Sequence, residues 1–475
     1  MLVSRRKRKE PKVIKVYLNN KPLEQVTTMK YLGIILDNKF RFKEHITYAA
    51  ERCTKLIHTL SKLAKISWGI KHEAMKTIYK GAILPLLLYG APVWIDGMKY
   101  EHNRKKYVRV QRLINIRMAK AYCTTSSEAL CILTGMTPII IKTEEAVKQY
   151  TIRKRKGNQS HVFDNEVELK DWPHPADAVK ITVVKDYTET TVQAYTDGSK
   201  YEQGVGSGVA VFIGQEMAAQ IKLKLDSRCS NNQAEQLAII KALEAIESIH
   251  TADINTRTAT IFTDSKITLD SLQNASNHAY LIEEIRKRVA ILENSKWKIE
   301  FSWVKAHVGI YGNEMADRLA KEAARSKDTN IAFDRIPKST LYYEAEEEAK
   351  QQWQSEWEKC PKAALTKQYF PSVQDRLNMK ISMTPSIAAM VTGHGKTRAY
   401  LHRFKILEQA TCVCKDGDQT TDHLLYHCTL LQTQREALKQ TVLKTGNWPA
   451  SKHELITKHR VSFINFIQSI DFEIL

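Results

Sequence analysis

Asp197, Glu235, Asp264 and Asp317 each lie in a local context that could deliver a carboxylate to one shared place. The run Tyr195-Thr196-Asp197-Gly198-Ser199-Lys200 reads as a strand that hands an acid to the sheet edge before a turn glycine, and Ala259 to Asp264 repeats the device with Ser265 behind it to start a helix. In-line hydrolysis of a phosphodiester needs an activated water on one side of phosphorus and charge stabilisation of the leaving oxygen on the other, which two cations about 4 Å apart supply. Mg²⁺ takes hard oxygen ligands and keeps some waters, so three or four convergent carboxylates suffice. The expectation is that Asp197 bridges two ions, Glu235 and Asp264 hold mainly one and Asp317 the other. His307, in a glycine-bearing loop, is the residue to shuttle a proton or assist product release. Taken singly, an Asp before Gly is usually a turn residue and a loop His usually surface. The order and context of the set raise it above that reading.

The elements that must position these acids are legible. Thr191–Thr196, the stretch around Val205, Val209, Val211 and Phe212 punctuated by Gly204, Gly206 and Gly208, and Ile221–Leu225 read as three strands. Their short turns imply an antiparallel meander. Ser230-Asn231-Asn232-Gln233 fits a capping box, and the helix it starts carries Ala234, Ala238, Ala242, Ala245 and Ile249 on one face, small enough for close approach to a sheet, with Glu235 beside that face. Helices over Ile267–Leu272 and Leu281–Leu292, a strand over Lys298–Val304 and a last helix from near Asn313 follow. Asp317 flanks that helix's stripe of Ala316, Leu319, Ala320 and Ala323.

The chain has 475 residues, 43% hydrophobic and 26% charged, which suits several globular domains with real cores. No apolar run approaches the roughly 20 residues of a spanning helix, and the N-terminal basic cluster lacks a signal peptide's apolar stretch, so a soluble intracellular protein with no membrane partner is expected. The eight thinly scattered Cys read as reduced thiols. The net charge of +20 is uneven: residues 1–165 hold 33 Lys+Arg against 12 Asp+Glu, and the rest is near neutral. Such an excess suits a phosphate backbone, whose counterions are released on binding. Arg5-Arg6-Lys7-Arg8-Lys9 could act as a nuclear localisation signal or a basic tail.

From Val13 to Leu36 short β-like segments alternate, and Ile46, Ala49, Cys53, Leu56, Leu60 and Leu63 recur as one buried helical face. Ile83–Trp94 is Pro-broken and expected to pack under basic helices bearing Arg104, Lys105, Lys106, Arg109, Arg112 and Arg117. Arg153–Gly157 and Trp172–Pro175 read as linker. Past Arg325 an acidic stretch with Trp353 and Trp357 reads as a connector helix. Cys412, Cys414, His423 and Cys428 then offer three thiolates and an imidazole suited to structural Zn²⁺, with His427 able to replace His423.

Two resemblances organise these observations. Thr196-Asp197-Gly198-Ser199, Asn232-Gln233-Ala234-Glu235, Thr263-Asp264-Ser265 and Trp303 to Asp317 resemble ribonuclease H type 1 over about residues 188–326. That resemblance implies a five-stranded mixed sheet flanked by helices, cleavage of the RNA strand of RNA/DNA hybrids with Mg²⁺ or Mn²⁺, and hybrid contacts at Ser199, Asn232 and Gln233. Two departures are the Lys305-Ala306 pair where many members have Pro-Gly, and an interval from Leu272 to Leu281 too short for a basic handle. Lys30–Asp37, Phe42–Ile46, Leu84–Trp94, Gln111-Arg112-Leu113, Thr124–Leu130 and Thr134-Gly135 resemble the region after the palm in reverse transcriptases of Jockey, I and R1 non-LTR retrotransposons. The chain has no Asp-Asp dipeptide for a polymerase palm, so polymerisation is not expected. The Cys/His spacing resembles the zinc knuckle of the same elements.

The expected organisation is an α/β protein: a basic, mainly helical thumb-like remnant (1–160), a linker (161–187), a ribonuclease H domain (188–326), a helical connector (327–400) and a zinc-knuckle-like tail (401–475). Such a chain is the C-terminal part of an element protein, an active hybrid nuclease or, alternatively, a silent nucleic-acid-binding fragment.

Overall fold

The computed structural model describes residues 14–63, 72–154, 163–164, 166–167, 171–172, 174, 179–184, 190–249, 256–326 and 330–471. The basic run Arg5 to Lys9, residues 155–157 of the expected linker, and Pro173 and Pro175 lie outside them. Two compact units emerge: residues 151–344, and a composite of 1–150 with 345–475.

In the first unit, β1 (Val183–Val184), β2 (Val192–Tyr201), β3 (Gly204–Ile213), β4 (Glu216–Leu225), β5 (Thr258–Thr263), β6 (Lys298–Trp303) and β7 (Ile331–Phe333) form one sheet in the order β7-β4-β3-β2-β5-β6-β1. β2, β3 and β4 form the expected antiparallel meander. β5 and β6 add in parallel beside β2, as strands reached through helical crossovers do. The five long strands are the expected ones. The sheet has seven because β1 and β7, two and three residues long, cover its outer edges. Segments read as linker belong to this unit: β1 pairs with β6, Phe163–Asp164 pairs with Ile336–Pro337, and Trp172 stacks on His278 at 3.6 Å.

Helices cover both faces of the sheet. α1 (Asn231–Glu247), α2 (Lys266–Gln273) and α3 (Tyr280–Asn294) pack with Val192, Ala194, Val209, Val211, Ile261 and Phe301. α4 (Tyr311–Arg325) packs with Tyr195, Ala210, Phe212 and Phe262 on the opposite face. The capping box at Ser230 and Gln233 forms as expected.

The glycines of β3 do more than punctuate. A Cβ on Gly208 would stand 2.1 Å from the Ala316 carbonyl, and one on Gly206 would stand 2.4 Å from the Ala320 carbonyl. The backbone of α4 therefore lies directly on the sheet. Gly198 does the same on the other face, where a Cβ would come within 2.7 Å of the Glu235 amide nitrogen.

In the composite unit, hairpins precede a helix over Lys43–Leu63, and Ile46, Ala49, Cys53 and Ile57 are buried. Leu56, assigned to that face from sequence, is 39% exposed. After Cys53 the buried row continues four residues on at Ile57, as a period of 3.6 requires. Ile83, Leu87 and Trp94 pack with Tyr107, Val110 and Ile114 of the basic helix Glu101–Ala119. No single described helix is long and apolar enough to cross a membrane.

The second half of this unit completes the core of the first. Leu130, Cys131, Ile132, Leu133 and Ile141 pack in one cluster with Trp353, Trp357, Phe370, Met390, Leu424 and Phe463. Polar contacts support it: Arg376 donates to the Leu133 carbonyl, and the Thr124 hydroxyl meets His394 Nδ1 at 2.9 Å. The connector and tail thus fold onto the N-terminal module.

Candidate active site

Asp197 is not at the end of its strand. β2 runs on to Tyr201, and Asp197 pairs with Gly208 on the face covered by α4. The bare β3 glycines set α4 low enough to bring Asp317 beside it. On the opposite face, bare Gly198 admits the first turns of α1, which carry Glu235. Asp264 follows the last residue of β5, and Ser265 caps α2 by accepting from the Thr268 amide. Four elements therefore converge around Asp197 of β2.

The electrostatics record that convergence. Asp197 is 7% exposed, and its carboxyl is pushed up to about 8, first by burial, then by the charges of Asp264 and Asp317, with Glu235 adding to them. The Gly198 amide, donating to Asp197 Oδ1 at 2.7 Å, opposes the shift. Burial also raises Asp264, with Asp317 reinforcing it, while His307 lies near enough to pull it back. Glu235 is raised by burial and by Asp264 against hydrogen bonds from Ser265 and from Asn231, the latter at 2.7 Å. Carboxylates that raise one another in this way create a strong demand for positive charge. Hard oxygen donors around a buried acid fit Mg²⁺ or Mn²⁺.

The other expected residues separate. His307 is exposed on the loop between β6 and α4, in a left-handed backbone conformation with φ of 56°. Ser199 shares the face of Asp197, and Asn232 is exposed at the start of α1. Gln233 is buried, and its amide donates to Asp164 Oδ2 at 2.7 Å and to the Arg335 carbonyl at 3.0 Å. Lys321, absent from the expected set, is a further neighbour: its Nζ meets Asp317 Oδ2 at 2.6 Å. Its position four residues beyond an acid on the same helix was the available signal.

Among the described residues, one group of metal-ligand type has all its ligand atoms within 4.8 Å of one another: Cys412, Cys414, His423 and Cys428, in the composite unit. The thiols of Cys412 and Cys428 are 3.8 Å apart, and Cys414 lies 3.2 Å from His423 Nε2. Two thiolates each about 2.3 Å from a tetrahedral Zn²⁺ would be about 3.8 Å apart. His423, not His427, joins the cluster.

The RNase H family model matches residues 189–325. An R1-type retrotransposable-element Pol polyprotein of Nasonia vitripennis is 33% identical over 141 residues, covering 30% of this chain and 36% of its own length. A second, from Popillia japonica, is 25% identical over 244 residues, covering 50% of this chain and 91% of its own length. The chain spans about a third of the first relative's length. Among solved structures, RNase H1 of Halobacterium salinarum covers 28% of this chain and 96% of its own length, at 27% identity and a TM-score of 0.22. Residues 189–325 are an RNase H domain, in a chain homologous to the Pol polyproteins of R1 non-LTR retrotransposons.

Proposed function

We propose that the nuclease unit hydrolyses the RNA strand of RNA/DNA hybrids as an endonuclease, with two Mg²⁺ or Mn²⁺ ions held by Asp197, Glu235, Asp264 and Asp317. The observation that carries this is the convergence of four acids on Asp197, with that carboxyl pushed up to about 8 by burial and its neighbours. Bound there, the ions would supply an activated water and charge stabilisation at the leaving oxygen. The chain's own residues do the rest. The acids are held in place by the glycine contacts of β3 and Gly198, and His307 moves a proton at the open edge beside Asp264. Ser199 and Asn232 contact the hybrid, and Gln233, committed to Asp164 and the Arg335 carbonyl, orients the first turn of α1.

In the composite unit we assign structural Zn²⁺ to Cys412, Cys414, His423 and Cys428. Its basic N-terminal half, similar to the region after a reverse-transcriptase palm, binds nucleic acid. The purified chain should cleave a labelled RNA/DNA hybrid in a Mg²⁺-dependent way, and Asp197→Asn should lower the rate by about 10³ or more. No cleavage by the parent, or equal cleavage by the variant, leaves a nucleic-acid-binding fragment as the reading. Metal analysis should find one zinc per chain, lost in Cys412→Ser.

A further inference from the structure

Next to Asp317 lies a groove of about 670 Å³ lined by Lys222, Arg318, Lys321, Glu322, Arg325 and the acid itself. Its origin is the glycine contact already described. Lys222 and Lys224 of β4 pair with Gly208 and Gly206 of β3, so their side chains rise on the face where α4 lies low against the sheet. Lys224 donates to the Ser326 carbonyl at the end of α4, and Lys222 comes within 3.6 Å of Glu322. On α4, Arg318, Lys321 and Arg325 recur at i, i+3 and i+7 along one face, and Arg325 lies 5.0 Å from the Tyr201 ring centroid.

We propose that this groove is a second subsite of the nuclease unit, which takes the sugar-phosphate backbone of a nucleic-acid strand running past Asp317. The inference rests on the hybrid-nuclease reading above and adds to it where the strand leaves the acids. The dimensions agree. At a rise of about 1.5 Å per residue, Arg318 to Arg325 extends about 10 Å, and one strand presents a phosphate about every 3.4 Å of helix axis, so the groove spans about three phosphates, with Lys222, Arg318 and Arg325 as the cations to meet them. The acids in the groove do not cancel them. Glu322 sits 3.6 Å from Lys222 and 4.0 Å from Arg318, both pairs largely exposed, and such pairs contribute little and exchange readily for phosphate. Lys321 differs, since it is paired closely with Asp317 and positions that acid. The short connection from Gln273 to Tyr280 leaves no room for a basic projection between α2 and α3, so this track supplies phosphate contacts beside the acids that such a projection would otherwise give.

The test is equilibrium binding of a fluorescein-labelled 18-base-pair RNA/DNA hybrid to the full chain in EDTA, measured by anisotropy over a range of KCl concentrations. The variant is Lys222→Gln/Arg318→Gln/Arg325→Gln, with Lys321 kept because it touches Asp317. The variant should bind about 10- to 100-fold more weakly at 0.1 M salt, and the slope of log K against log[salt] should shrink by about 2 to 3, at roughly 0.9 for each phosphate no longer neutralised. An unchanged affinity and slope, or no binding by the parent chain, overturns the proposal. A variant with an altered melting temperature is replaced by Arg318→Glu alone, for which a slope smaller by about 1 is expected and an unchanged slope is contrary. Because no cleavage is measured, a reduced slope in a chain that fails to cut would keep the subsite while removing the nuclease reading.

Discussion

In the nuclease unit the smallest residues meet: Gly206 and Gly208 receive the backbone of α4 at Ala316 and Ala320. In the composite unit the largest do, with Trp353, Trp357, Tyr369, Phe370 and Phe463 filling a core that residues from both ends of the chain share. Close backbone contact fixes where four charges stand, and a fraction of an ångström matters to them. Interdigitated aromatics supply buried area, on the order of 150–250 Å² each. The first unit is built for placement and the second for bulk, so the two should fail differently.

The largest effect should come from the composite unit's Cys/His quartet. Structural Zn²⁺ is worth on the order of 10 kcal/mol in small metal-folded domains. Chelation or Cys428→Ser should therefore lower the melting temperature of the composite unit by more than about 10 °C and expose Trp353 and Trp357 to quencher. The transition of the nuclease unit should stay in place, and if both units melt together the contrast fails. Next, Gly208→Ala forces a methyl against the Ala316 carbonyl. It should destabilise the nuclease unit by about 3 kcal/mol in urea denaturation and reduce cleavage as the acids move. A neutral Gly208→Ala would show that α4 is free to shift.

A smaller effect separates the units by pH. The Asp197 carboxyl, ordinarily near 4, is held at about 8 in the metal-free fold, so the folded state keeps a proton that the unfolded chain releases. Its contribution to stability is complete below about pH 4 and is lost as pH rises to about 8. Without divalent ions the nuclease unit should melt several degrees lower at pH 8 than at pH 5.5. Asp197→Asn should flatten that dependence and Mg²⁺ should reverse it. The smallest effect tests the helix register: Leu56→Ala should change stability by less than about 0.5 kcal/mol, while Ile57→Ala costs about 2–5 kcal/mol.

The same contrast explains what can be read from the residues alone. The acids of the nuclease unit lie in short local patterns, strand then Asp or cap then helix, and the pattern of elements from Thr191 to Arg325 matches the structure closely. What escapes is the reason for the glycines, since nothing near Gly208 in the chain announces a helix more than a hundred residues later. Asp197 reads as a strand end for the same cause: Gly198 looks like a turn until α1 is seen resting on it. The edge strands Val183–Val184 and Ile331–Phe333 are too short to show alternation. In the composite unit the helices are legible one by one, but their partnership is not. Leu130 to Leu133 and Trp353 join across a whole intervening unit, and no local period reports that.

That interruption has a consequence on the ribosome. The chain grows at about 5–20 residues per second, so about 200 residues of nuclease take on the order of 10–40 s to emerge after Tyr150. For all that time Leu130, Ile132 and Leu133 have no Trp353 or Phe370 to cover them. The RNase H domain can fold while the part of the chain that preceded it is still waiting for its other half.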